Sequence, residues 1–218
     1  MTRIAVISDV HADVHALRDA LASIERLGCD EVICAGDLLD WGLFPEQTIA
    51  LLRELRIPCI RGNHDRWAVR DGRDASAWDL PRDAVAFLAE LPTHITRVVD
   101  GVRVAIWHAR PGSDLQGIYP DASEEELDAL LTQASCDVLV VGHTHVAFAR
   151  SVARGLVANP GALLRDPAHP MDQAMLFDRE SGRFVPSPAP GGGTFAILEL
   201  PSRTFTIHRA VDGAEVAP

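Results

Sequence analysis

The sequence predicts an α/β chain in which one sheet of mixed parallel and antiparallel strands, or two such sheets face to face, is covered by helices. Three observations carry that expectation. Short β-branched runs alternate with helical patterns from Arg3 to Arg61, the rhythm of βαβ units. The segment ITRVVDGVRVAIWHA then sets Asp100-Gly101 between two β-rich runs, a two-residue turn signal, so an antiparallel pair comes after the parallel half. Finally, TFAILEL and TFTIHRA read as a second hairpin near the end of the chain.

Taken in order, RIAVIS is the first strand. The helix from Asp13 to Leu27 is next, with Ala16, Leu17, Ala20, Leu21, Ile24 and Leu27 at helical spacing, Asp13 as its N-cap and Gly28 as its stop. EVICA is a strand, Pro45 to Leu55 a helix and IPCIR another strand. A further helix opens at Ser123, with Glu126 placed for a capping box, and leads into CDVLVVG. After GLVANPG the stretch 164–193 is rich in Pro, Gly and Asp and reads as a loop-rich excursion before the last strands. With 218 residues, 47% of them apolar, the chain can build one sizeable core, so residues 1–218 are expected to form a single domain.

A formal charge of −11 excludes broad electrostatic adhesion to nucleic acid or to an anionic membrane, because that affinity comes from neutralising phosphates with Lys and Arg. An anionic substrate must therefore find a local positive centre. The four cysteines, Cys29, Cys34, Cys59 and Cys136, form no C-x-x-C pair, and they read as reduced core residues. MTRIAVISDV opens on a strand and reaches Asp9 before any apolar leader could form, so neither a signal peptide nor a membrane span is expected, and the protein reads as cytoplasmic.

The residues that point to chemistry stand at the ends of the apolar runs. AVISDVH ends in Asp9 and His11, EVICAGD in Asp37, PCIRGNHD in Asn63, His64 and Asp65, VAIWH in His108, and VLVVGHTH in His143 and His145. Ligands of α/β sheets bind at the carboxyl ends of the strands, so residues remote in sequence can converge there. Imidazoles mixed with carboxylate and amide oxygens are too hard a set for a thiolate-type site and too rich in nitrogen for Ca²⁺ or Mg²⁺; they suit Mn, Fe, Co, Ni or Zn. Seven side chains exceed the needs of one ion that keeps a position for water, and two divalent transition-metal ions sharing a carboxylate use them comfortably.

At these positions the chain resembles the calcineurin-like metallophosphoesterase superfamily. The pattern D-x-H, GD-x-x-D, GNH-[DE], H and GH-x-H is met in order by Asp9/His11, Gly36-Asp37/Asp40, Gly62-Asn63-His64-Asp65, His108 and Gly142-His143/His145. The resemblance implies a four-layer αββα sandwich, with two mixed sheets packed face to face and flanked by helices. It also implies a binuclear centre in which Asp9, His11 and His145 hold the first metal, Asn63, His108 and His143 the second, and Asp37 bridges. His64 would be the general acid, oriented by Asp40, and Asn159-Pro160-Gly161 a closing turn. The implied reaction is hydrolysis of phosphodiesters or phosphomonoesters by in-line attack of a metal-bridging hydroxide, on a small phosphate ester, nucleotides included. Two positions depart from the family pattern. Ala109 comes after the single metal histidine where Gly is usual, and Trp41 stands where protein phosphatases carry Arg. The second departure favours the small prokaryotic phosphodiesterase or phosphatase branch over a protein serine/threonine phosphatase. Some relatives of this fold are non-catalytic interaction scaffolds that have lost histidines of the set, whereas this chain keeps every ligand and the acid.

Other candidates lie nearby. Arg66 in RWAVRDGRDASAW and Arg110, two residues beyond His108, are the expected substrate-binding cations. The former stretch, read as a loop carrying Arg66, Trp67, Arg70, Arg73 and Trp78, could receive a phosphate or stack a base. Asp65 reads as a structural hydrogen-bonding group, and His15, His94, His169 and His208 match no motif.

Overall fold

The computed structural model describes residues 1–70, 80–164, 175–178, 183–186 and 193–217. Strand β1 (Thr2–Ile7) leads through α1 (Val14–Leu27) to β2 (Glu31–Cys34), with α2 (Pro45–Glu54), α3 (Asn63–Arg70) and α4 (Arg82–Glu90) after it. The hairpin β3 (His94–Val99) and β4 (Val102–Trp107) comes next, then α5 (Glu124–Gln133), β5 (Val138–Val140), β6 (Phe148–Val152) and β7 (Gly155–Asn159). A small hairpin, β8 (Met175–Asp178) and β9 (Arg183–Pro186), precedes β10 (Thr194–Leu200), β11 (Thr204–Arg209) and β12 (Glu215–Val216).

Two five-stranded mixed sheets result, ordered β12-β11-β10-β1-β2 and β3-β4-β5-β7-β6. Their alternation of side chains makes the layers. Ile4, Val6, Ile33, Leu198 and Leu200 of one sheet join Val104, Ile106, Val138, Val140, Leu156 and Ala158 of the other in one buried cluster, the core between the sheets. One residue along each strand, the side chains turn the other way. Ala5, Ile7, Cys34, Phe195 and Ile197 pack against α1, α2, α3 and α4 through Leu17, Ile24, Leu52, Ala68 and Leu88. Ala105, Leu139, Val141 and Val157 pack against Leu127, Leu130 and Leu131 of α5. The layers run helices, sheet, sheet, helix, which is the αββα sandwich.

Local chemistry sets the elements where the sequence expects them. Asp13 accepts a hydrogen bond from the Ala16 N–H, and Gly28 closes α1 at φ 68°. Ser123 caps α5 by accepting from the Glu126 N–H at 3.2 Å. Asp100 and Gly101 both take positive φ, 49° and 80°, the twist that a two-residue hairpin turn needs between Val99 and Val102. Four features differ from the sequence expectation. IPCIR contracts to a single parallel bridge, Cys34 to Cys59, because the Arg61 N–H is taken by the Pro92 carbonyl and the chain turns into α3. Arg66, Trp67 and Arg70, expected in a loop, lie in α3, while Arg73 and Trp78 fall outside the described residues. Strand β6 and helix α4 form where no element was expected. Within the stretch 164–193 the described parts include the β8–β9 hairpin, and most of that stretch lies outside the described residues. The four cysteines carry no disulfide, as expected. No helix among the described residues is long and apolar enough to cross a membrane.

Candidate metal centre

Parallel pairing brings the donor residues together. In one sheet β1 and β2 run parallel with Ile7 opposite Cys34; in the other, β4 and β5 run parallel with Ile106 opposite Val140, so each pair ends at one edge. The loops that leave those ends stay bonded to each other. Asp9 N–H donates to Gly36 O, His11 N–H to Asp37 O and Ala12 N–H to Leu38 O at 2.8–3.0 Å, and Gly142 N–H donates to His108 O at 2.8 Å. The two sheets are tied across the centre where the His143 N–H reaches the Asp9 carboxylate at 3.0 Å.

The expected ligands converge. Donor atoms of Asp9, His11 and His145 lie within 4.8 Å of one another, and so do those of Asp37, His108 and His143. Asn63 Oδ1 is 3.1 Å from His108 Nε2. Asp9, His11, Asp37, Asn63, His108 and His145 are buried; His143 and His64 are half-buried and form the exposed side of the cluster.

Whether this set suits a cation can be tested on its lone pairs. His11 donates Nδ1–H to the Leu39 carbonyl at 2.9 Å, and His108 donates Nδ1–H to the Ala35 carbonyl at 2.8 Å. Each ring therefore turns its Nε2 to the centre. That of His11 meets Nε2 of His145 at 3.1 Å, and His145 Nε2 in turn lies 3.3 Å from Asp9 Oδ1. That of His108 meets Asp37 Oδ2 and Asn63 Oδ1, each at 3.1 Å. His143 donates Nε2–H to the Leu115 carbonyl at 3.1 Å, which leaves its Nδ1 for the centre. Carboxylate, amide and ring acceptors gathered in a buried place need positive charge among them, which a ring proton or a cation supplies. Divalent cations that accept mixed nitrogen and oxygen ligands satisfy that requirement, and the residues fit them.

The electrostatics agree. Burial drives His11 down to about 3, so its ring is neutral with a lone pair to give. Burial and the nearby His108 lower His143 as well. Burial also opposes charge on His108, yet Asp37 and Asp9 outweigh it and lift that ring to about 10, holding a proton where cationic charge is wanted. Burial would raise Asp37, but His108, His64 and His11 keep its carboxyl well below the usual carboxylate range, and Asp9 is lowered against burial chiefly by His145.

His64 approaches the same place: donor atoms of His11, Asp37 and His64 also lie within 4.8 Å of one another. Its Nδ1 bonds Asp40 Oδ2 at 2.7 Å, and its Nε2 lies 4.0 Å from Asp37 Oδ2, facing the centre. Burial lowers its basicity, but the bond to Asp40 and the charge of Asp37 more than reverse this and raise it above the ordinary value of 6.5. Asp65 is fully buried and is a brace: it accepts from the N–H groups of Asp37, Leu38 and Gly62 at 2.9–3.0 Å, so it joins the loop of Asp37 to that of Asn63. Burial and the charge of Asp37 push its carboxyl up to about 6 against those donors. Trp41 stacks on His11, with centroids 4.4 Å apart and an interplanar angle of 19°, and Trp67 meets His64 edge to face at 4.8 Å. Asn159 of the expected closing turn donates to the Gly142 carbonyl at 2.8 Å and accepts from the Gly161 N–H at 2.8 Å.

The two expected substrate cations are differently placed. Arg66 lines a cleft beside His108 but grips Asp114 through two bonds, at 2.5 and 3.1 Å. Arg110 pairs with Glu126 in the first turn of α5. Reading by motif passed over Arg61, which lines the same cleft as Arg66, and the carbonyls of Leu39, Ala35 and Leu115 that orient the rings. Only the position of Arg61 next to the GNH motif could have flagged the first; the carbonyls leave no trace in side-chain chemistry.

Residues 2–182 match the sequence model described as the calcineurin-like phosphoesterase superfamily domain. An uncharacterized protein of Methanocaldococcus jannaschii is 28% identical over 177 residues, 75% of this chain and 70% of its own length. A protein named "Probable metallophosphoesterase" from Methanothermobacter thermautotrophicus is 27% identical over 161 residues, covering 73% of this chain and 76% of its own. Among solved structures, a metallophosphoesterase from Sphaerobacter thermophilus superposes with a TM-score of 0.66 at 24% identity over 95% of this chain and 87% of that one, which is a likeness of fold.

Proposed function

Since this chain belongs to the calcineurin-like phosphoesterase superfamily, we propose that it hydrolyses a small phosphate ester at a centre of two divalent transition-metal ions. Asp9, His11 and His145 would hold one ion, Asn63, His108 and His143 the other, and Asp37 both. Bound there, such ions supply Lewis acidity toward phosphoryl oxygens and acidify water, so the nucleophile needs no protein side chain. His64 serves the leaving oxygen. With Nδ1 engaged by Asp40, its Nε2–H is the proton directed at the centre, and Asp40 both orients the ring and keeps it protonated. Trp41, lying flat on His11, occupies the position at which protein phosphatases carry Arg, so a protein phosphatase is the less favoured reading. A scaffold role is less favoured too, because the ligand set and the acid are all present.

The observation that carries this reading is the meeting of His108 Nε2 with Asp37 Oδ2 and Asn63 Oδ1 at 3.1 Å, beside the matching cluster of His11, His145 and Asp9. The test is elemental analysis of the fully loaded protein together with a screen of Mn²⁺-loaded enzyme on bis(4-nitrophenyl) phosphate and 4-nitrophenyl phosphate. The expected result is two ions per chain, turnover of at least one substrate, and reduced metal occupancy in Asp37→Asn. One ion or none at full loading, or no turnover of either ester, would overturn the reading.

A further inference from the structure

We propose that the cleft beside His108 is a subsite for a second phosphate group of the substrate, with Arg61 as its anion contact; this rests on the phosphoesterase reading above and narrows its substrate class. The cleft has a volume of about 480 Å³ and is walled by Arg61, Arg66, Thr93, Trp107, Ser113 and Asp114, with His108 at the edge of the metal centre as its inner wall. That is far more room than one phosphoryl group fills, and it lies in the range of pockets that enclose a small organic ligand. A substrate whose reacting phosphorus sits at the centre would extend into it.

Charge decides what the extension carries. Arg66 and Asp114 neutralise each other through their paired bonds. Arg61 is different. Its backbone N–H is fixed on the Pro92 carbonyl at 2.7 Å, its side chain is half-buried, and its guanidinium has neither an ion-pair nor a hydrogen-bond partner among the described residues. One uncompensated guanidinium in a walled cleft, on a chain of formal charge −11, is a local attractor for an anion, and its planar donor fork matches phosphate oxygens. Trp107, stacked on His94 with centroids 4.2 Å apart, gives the cleft an aromatic wall. Thr93 and Ser113 add hydroxyls to the same wall. The ligand class is therefore a phosphate ester bearing a second phosphate a short distance from the reacting one.

The test compares adenosine 5′-monophosphate with adenosine 3′,5′-bisphosphate on the full chain loaded with Mn²⁺. Affinity is read twice: as competitive inhibition of bis(4-nitrophenyl) phosphate hydrolysis, and by calorimetric titration in the His64→Ala background, where turnover is slowed. The expected result is that the bisphosphate binds about tenfold or more tightly than the monophosphate, that Arg61→Gln brings this ratio below about threefold, and that Arg56→Gln, a surface control, leaves it intact. A ratio near one in the unmodified chain, or a ratio that survives Arg61→Gln, would overturn the subsite. The two readings fail separately. Turnover without a bisphosphate preference removes the subsite and leaves catalysis, whereas a calorimetric preference lost in Arg61→Gln without turnover of any ester removes the catalytic reading and leaves the subsite.

Discussion

Gly62, the first residue of the GNH motif, gives the sharpest test of how the centre is packed. In Gly62→Ala the new Cβ would stand 2.0 Å from Asp37 Oδ1 and 2.5 Å from Asp37 N, where ordinary contact begins at 3.4 Å. Neither atom can yield cheaply. Asp37 is 1% exposed, its N–H is held by Asp65 Oδ2 at 3.0 Å, and its Oδ1 accepts from the His64 N–H at 3.0 Å. The two loops must part by more than 1 Å. Overpacking against fixed atoms costs about 1–3 kcal/mol, and a backbone obstacle puts this case at the upper end. At about 2–4 °C per kcal/mol for a chain of this size, the melting temperature of the metal-free protein should fall by about 5–10 °C. The same displacement carries Asp37 away from His108, so metal content should drop, and kcat/KM should fall on the order of 10²-fold, the usual effect of misplacing a reacting group by about 1 Å. Gly101→Ala is the control. Its Cβ meets nothing within 4 Å, and only the positive φ of 80° opposes it, so it should cost about 1–2 kcal/mol and leave metal content and activity alone. Scanning calorimetry, elemental analysis after dialysis, and steady-state kinetics read all three quantities. If Gly62→Ala melts within about 2 °C of the parent chain and keeps its metal, the close packing of the Asp37 and Asn63 loops is refuted.

His64→Ala should lower kcat by about 10²–10⁴-fold with metal content unchanged, and loss of metal in that variant would make His64 a ligand instead of an acid. On the proposed reading His64 acts protonated and its basicity is raised above the ordinary 6.5, so kcat should decline as pH rises through that raised value; Asp40→Asn, which removes a raising partner, should move the alkaline limb to lower pH, and an unmoved limb would show that Asp40 does not tune the ring. Chelation should destabilise the loaded protein: ions present at about 100 times their dissociation constant contribute about 2.7 kcal/mol, or about 5–11 °C in melting temperature, and an unchanged melt would mean that the folded chain does not bind them.

The sequence made the layers legible where one periodicity ruled. In α1 the apolar spacing, the Asp13 cap and the Gly28 stop all agree, and at Asp100-Gly101 the turn chemistry fixes the pairing of Val99 with Val102. It was opaque where tertiary partners choose the conformation. Residues 63–70 carry two arginines, a histidine and an aspartate within eight positions, and they are helical because Ala68 is buried against the helical layer while Asp65 braces the first turn. IPCIR has strand composition, but after the Cys34–Cys59 bridge its backbone is captured by Pro92. The convergence of donors was readable because Asp9, His11, Asp37, His108, His143 and His145 stand just past strands whose ends the topology shares; Asn63 instead opens α3 after the Cys34–Cys59 bridge. Which ring nitrogen faces inward was not readable, since backbone carbonyls decide it, nor was the need for glycine at Gly142, where a Cβ would fall 2.0 Å from Ser8 Oγ and 2.7 Å from Asp9 Oδ2. Arg61 was unreadable for a related reason. Its singular position comes from Arg66 being spent on Asp114, a contact between α3 and the loop after β4.

Backbone conformation explains how the candidate ligands are aimed at one place. Asp9, His11, Asp37, Asp40, His143 and His145 all take positive φ, between 47° and 77°. For residues with a Cβ each such conformation costs on the order of 1 kcal/mol or more, although Asp and His tolerate it better than most. Left-handed turns let the chain leave a strand and double back within two or three residues, which is how one short loop aims two side chains, such as Asp9 and His11, at a single point. That cost is offset by bonds between loops rather than by contacts within them. Asp65 collects three N–H groups from two loops, Asn159 clasps Gly142 and Gly161, and the N–H groups of Leu163 and Leu164 reach the carbonyls of Ser8 and Asp9 at 3.1 and 3.2 Å. Because these bonds involve neither the lone pairs of the rings nor the inward carboxylate oxygens of Asp37, ordering the loops leaves the donors available. Donors held in place by the fold would not have to be ordered by the proposed ions, so the free energy of coordination would go to affinity.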